Sequence, residues 1–253
     1  MRNILKKNLQ LICLAIAGLI LNNCAQKSIS YNQDCDCGFY TTSGGIIANW
    51  PAETELIFQH DSYFPADLKK AFKAAGQSYG EILKDNIINI DPQELSNEPF
   101  NGNENLVKGD GINGIYWVQG EWPWKDKNPQ SVAMTVVSFN GNKIVEADIF
   151  FKADYFSNKD QILTTNPQQD DEESSLFFEP DQSVFDLENS TAAQQWMYVV
   201  GIHELGHALG RNHIEDKESI MYYSVNLKKL YSPFNKNDVE IFNKAFDTHN
   251  HNH

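Results

Sequence analysis

His203, Glu204, His207 and His213 are the residues of this chain whose types and spacing most directly suggest chemistry. They lie in the run His203-Glu204-Leu205-Gly206-His207-Ala208-Leu209-Gly210-Arg211-Asn212-His213. His203 and His207 are four residues apart, so on a helix they share a face and aim both imidazoles at one point. Glu204 follows His203 and can lean over that point without joining the ligand row. Gly210 supplies the permissive backbone that a sharp helix exit requires, and the turn brings His213 round as a third nitrogen donor. Three imidazoles on a tetrahedral zinc leave its fourth position open, which suits a catalytic site better than a closed structural one. A His-x-x-x-His pair by itself also occurs on helices that bind nothing. The Glu, the Gly and the third His at these spacings are what favour a metal.

These residues need a helix to carry them and a framework to hold it. Residues 192–209 read as that helix, with Trp196, Val199, Val200, Ile202 and Leu205 as apolar positions and Asn189 or Ser190 as its N-cap. Upstream, residues 54–59 read as a first strand. A helix follows from Pro65 to about Leu83, with Leu68, Ala71, Phe72, Ala75 and Tyr79 at helical spacing. A second strand at 86–90 is closed by Asp91-Pro92, and residues 94–111, rich in Asn and Gly, read as loop. Strands follow at 114–119, 132–139 and 143–152, the last two paired as a hairpin across Asn140-Gly141-Asn142. Residues 239–246 read as a short amphipathic helix. His60, just after the first strand, reads as a surface or loop residue.

Met221 lies eight residues beyond His213, in Ser219-Ile220-Met221-Tyr222-Tyr223. Two helical His, a Gly, a third His and a following Met together resemble the metzincin clan of zinc endopeptidases. The short step from third His to Met, and the pair Met221-Tyr222, look most like its matrixin family. Two positions depart from that family: Tyr223 stands where matrixins usually have Pro, and Ile214 where they usually have Ser or another small polar residue. Tyr223 instead resembles the tyrosine that astacins and serralysins use as an extra zinc ligand and oxyanion donor. The alternative for Tyr222 or Tyr223 is simple packing beneath the site.

The resemblance implies an α+β, zincin-like metzincin catalytic domain. Its twisted mixed sheet has an antiparallel edge strand and packs on a backing helix and a zinc-binding helix; a small C-terminal subdomain carries the Met-turn and closing helix. It implies His203, His207 and His213 as zinc ligands, Glu204 as the base acting on zinc-activated water, and Tyr223 as a catalytic hydrogen-bond donor. It gives Met221 the role of an apolar floor, which suits a soft, adaptable side chain. Val145 to Phe151, containing Ala147-Asp148-Ile149, resembles the matrixin edge strand that borders the cleft and pairs with an extended protein or peptide substrate; an ordinary half-buried strand is the other reading. The function implied is hydrolysis of peptide bonds in extracellular or envelope proteins. The competing function is a non-catalytic, zinc-stabilised binding module or adhesin, against which Glu204 argues, since a structural site needs no base beside the metal. A zinc hydrolase of non-protein amides is a third.

The N-terminus reads as an export signal over residues 1–23: Arg2, Lys6 and Lys7 precede an apolar run from Leu9 to Leu21. Leu21-Asn22-Asn23-Cys24 resembles a bacterial lipobox with Cys24 as the acylated residue, which places the product at the outer membrane or cell surface; an ordinary signal peptide cut nearby would make it secreted. Removing residues 1–23 moves the formal charge from −14 to −17. That acidity argues against nucleic acid as a partner, because both surfaces repel. Residues 24–44 read as a flexible tether, 45–248 as the catalytic domain and 249–253 as a disordered tail whose His249, His251 and His253 could bind metal loosely. Cys35 and Cys37 could close a strained disulfide or offer a thiolate to the zinc, although the matrixin latency motif does not surround them. Residues 158–186 are the least readable. Asp170-Asp171-Glu172-Glu173, with Asp181 and Asp186, has the clustered carboxylates that a calcium site uses, but such a run is more often a solvated loop.

Overall fold

A computed structural model describes residues 38–41, 46–51, 54–83, 88–95, 100, 109–157, 185–225 and 227–247. The leader, Cys24, Cys35, Cys37, the acidic run at 170–173, Asp181 and the tail histidines lie outside these residues. The chain forms a five-stranded sheet from β1 (Leu56–His60), β2 (Ile88–Glu94), β3 (Asn113–Val118), β4 (Ala133–Asn140) and β5 (Lys143–Lys152), in the order β2-β1-β3-β5-β4. β1 runs parallel to β2 and β3, and β3 parallel to β5; β4 alone is antiparallel to its neighbour. The fold is therefore α+β with a mixed sheet and an antiparallel edge, as expected.

One expectation about that edge is corrected. Val145 to Phe151 is not the edge strand: it lies within β5, between β3 and β4, and β4 ends the sheet. The reason is visible along the strand. From Ala147 to Phe151 every β5 residue is buried, because Ile149 and Phe151 face the main core while Phe150 packs with Tyr116 and Trp124 on the opposite face. Burial on both faces is the mark of an interior strand. β4 is intermediate in exposure along most of its length, as an edge should be.

Two long helices cover the main core face, α1 (Ala66–Leu83) and α3 (Ala192–Ala208). A short helix, α2 (Ala153–Ser157), follows β5, and α4 (Lys236–Asp247) closes the described chain. α1 buries Leu68, Phe72, Ala75 and Tyr79 along one stripe. α3 is buried nearly all round, packed between α1 and the sheet. Its N-cap is Thr191 rather than Asn189 or Ser190: Thr191 and Gln194 make a reciprocal capping box, while the Ser190 hydroxyl donates to Leu187 O. β2 runs on through Pro92 to Glu94, where the register with β1 shifts; a proline is tolerated at such an irregularity on an edge strand. His60 ends β1 and is buried against Phe64, not exposed.

Within the His-Glu-Leu-Gly-His run, Gly206 has a packing reason of its own. A Cβ there would strike Met221 Sδ and come within 2.7 Å of the Tyr79 hydroxyl, which itself donates to Ile202 O at 2.8 Å. Gly206→Ala should therefore cost about 1–3 kcal/mol through overpacking, read as a lower urea midpoint; an unchanged midpoint would show that the contact can relax.

Candidate metal centre

Four structural segments converge on the histidines. His203 and His207 are buried on α3, one turn apart. Gly210 leaves the helix at φ 93°, a conformation only glycine adopts easily, and the chain returns with His213 on the exposed side. The three Nε2 atoms then form a near-equilateral triangle, with edges of 3.2 Å (His203–His207), 3.1 Å (His207–His213) and 3.2 Å (His203–His213). Nitrogens about 2.0–2.1 Å from a tetrahedral zinc stand about 3.3 Å apart, so the triangle fits that ion.

The tautomers agree. His203 Nδ1 donates to Ile220 O at 2.7 Å and His207 Nδ1 to Arg211 O at 2.8 Å. Carbonyls only accept, so both rings carry their proton on Nδ1 and turn a lone pair inward from Nε2. Lone pairs converging in a buried spot repel one another unless a cation lies among them. Burial also keeps both rings neutral: His203 is lowered to about 4, opposed by its bond to Ile220, and His207 falls well below the usual histidine range. Neutral imidazole is the form that binds metal.

The Met-turn is the platform beneath. Met221 is fully buried under α3, and Ile214 N donates to Met221 O at 3.1 Å, tying the His213 loop to the turn. Asp238, in the first turn of α4, accepts from the Ser219 hydroxyl and from Ile220 N. Asn235 and Asp238 also cap that helix reciprocally, which starts it at Lys236, earlier than expected. Burial raises the Asp238 carboxyl above its ordinary value, and these donors oppose the shift.

Glu204 is 5 % exposed. Its Oε2 accepts a hydrogen bond of 2.6 Å from the Thr135 hydroxyl on the edge strand. Burial raises the carboxyl to about 7, with the Thr135 bond pulling the other way; a cation nearby would favour the ionised form further. Tyr223 is 68 % exposed, with its ring 4.2 Å from that of Tyr222, so it is not packed beneath the site. Asp186 binds Asn189 through both oxygens. Among the described residues, the three histidines are the group that could hold a metal ion, and no calcium cluster accompanies them.

Sequence reasoning missed Thr135, Tyr40 and Arg211. Thr135 is 69 residues from Glu204 in the chain and reaches it only through the sheet. Arg211 directly follows the motif's last Gly, yet it is fully buried. Tyr40 belongs to a stretch read as tether, yet its backbone N donates to Gly210 O, and Phe39 bridges Arg211.

The Matrixin family model matches residues 128–247, which take in the edge hairpin, all three histidines and the Met-turn. The chain is matrixin-like. That family is one of zinc-dependent metallopeptidases, and zinc is the ion that the three-histidine triangle fits. No curated protein matches the sequence.

Proposed function

We propose that this matrixin-like chain is an endopeptidase in which His203, His207 and His213 hold zinc and Glu204 moves the protons. The observation that carries the reading is a buried carboxyl raised to about 7, fixed by Thr135 and adjacent in the chain to a metal-ligand histidine. A structural zinc site has no use for it. Bound zinc supplies Lewis-acid polarisation of the peptide carbonyl and acidifies water. Glu204 accepts the proton of the attacking water at its carboxylate and delivers it to the departing amine nitrogen, acting first as base and then as acid. Thr135 orients that carboxylate through the hydroxyl it donates. Tyr223, exposed on the Met-turn, supplies a hydrogen bond to the developing oxyanion.

The substrate strand belongs beside β4, which ends the sheet and carries Thr135. An extended peptide adding there would pair with the edge backbone and bring its scissile bond past Glu204. Export with acylation at Cys24, and hence substrates among envelope or extracellular proteins, is supported by Arg2, Lys6, Lys7 and the apolar run after them. No helix among the described residues is long and apolar enough to cross a membrane. The test is cleavage of casein or gelatin with and without a zinc chelator. Chelator-sensitive cleavage restored by zinc is expected; zinc binding without any cleavage would indicate a zinc-stabilised binding module instead.

A further inference from the structure

The segment before the first strand is built into the metal loop. Tyr40 N donates to Gly210 O at 2.8 Å, and Asn212 N donates to Gly38 O at 2.7 Å. Trp50 Nε1 donates to Ala208 O at 2.8 Å. The carbonyl of Ala208, at the end of α3 where a helix leaves such groups without internal partners, and that of Gly210 just past it are thus satisfied by Trp50 and Tyr40. At the centre of this contact is Arg211, whose exposure is 0 %. Its Nε donates to Gly38 O at 3.0 Å, and its guanidinium lies 4.8 Å from the Phe39 ring centroid and 4.7 Å from that of Phe242. Nη1 and Nη2 are buried with no hydrogen-bond partner among the described residues. Such a cation is costly to bury; the two ring faces offset part of that cost, and one of them belongs to the N-terminal segment.

The same segment delivers Tyr40 to a metal ligand. Its ring stacks on His207 at an interplanar angle of 27°, and its hydroxyl oxygen is 3.3 Å from His207 Nδ1. That nitrogen already donates to the carbonyl of Arg211. Nδ1 carries one hydrogen, so the Tyr40 oxygen stands as its second, longer acceptor: His207 is anchored by the backbone of Arg211 and flanked by a tyrosine whose segment the Arg211 side chain holds through Gly38.

We propose that Tyr40 and Arg211 act together as positioning residues for His207, so that residues 38–41 are an integral part of the metal centre. This inference rests on the three histidines holding a metal. Groups that orient a ligating imidazole typically contribute about 10–100-fold to metal affinity.

The test uses Tyr40→Leu, Arg211→Met and the double variant in the full chain, with cobalt and zinc as probes. Zinc dissociation constants come from competition with a chromogenic chelator, and ligand geometry from the visible bands of the cobalt form. Each single variant should weaken zinc by about tenfold and shift the cobalt bands, and the double variant should be little worse than either, because both act through one contact. If Arg211→Met does not fold, Tyr40→Leu decides alone. Wild-type affinity and wild-type bands in Tyr40→Leu would overturn the inference while leaving the zinc site standing. Failure of the wild-type chain to bind either metal would overturn both.

Discussion

Glu204→Gln lowers kcat/KM on a peptide substrate by about 10²–10⁴-fold, the usual contribution of a positioned general base, while zinc content stays at the wild-type level. Gln keeps the size of the side chain and an oxygen that can accept from the Thr135 hydroxyl, now 2.6 Å from Glu204 Oε2. It cannot take a proton. The histidines keep their own anchors, Ile220 O and Arg211 O, which the substitution does not touch. The expected split is thus chemistry lost and metal retained, read by elemental analysis beside steady-state kinetics. Undiminished turnover would remove Glu204 from the mechanism, and loss of zinc would make it a structural residue of the centre.

His213→Ala has the opposite signature. His213 is the exposed member of the triangle and the one contributed by the loop rather than by α3. Truncating it leaves the core beneath α3 intact, so the thermal midpoint of the metal-depleted protein should move little. Metal retention should fall by more than the roughly 10–100-fold seen for groups that merely orient a ligand, and activity should fall with it. Dialysis against a chelator followed by zinc analysis measures this; full zinc occupancy in the variant would contradict a three-imidazole site.

The cluster of three histidines is the most legible part of the chain because its geometry is local. His203 and His207 need only helical periodicity, and His213 needs only the exit that Gly210 permits at φ 93°. The sheet's interior and its edge were harder to separate. β4 and β5 are both apolar strands of one hairpin, and the difference between them is whether β3 pairs on the far side, as Ile115 does with Ile149, a contact across 34 residues of sequence. Thr135 meets Glu204 only because β4 packs against α3, a contact equally remote in sequence. The polar stretch containing Tyr40 has the composition of a tether, and nothing local reveals that Gly210 O and Asn212 N complete its backbone hydrogen bonds. The helix cap is Thr191 rather than Asn189 or Ser190, because only Thr191 has Gln194 three residues on to close the box.

X-ray absorption at the zinc edge of the purified full chain addresses the central claim most directly. Coordination by His203, His207 and His213 with an open position for water predicts a first shell of nitrogen and oxygen only, at about 2.0–2.1 Å, with the multiple scattering of imidazole rings. A sulfur contribution near about 2.3 Å, or a chain that purifies and reconstitutes without zinc, would contradict it.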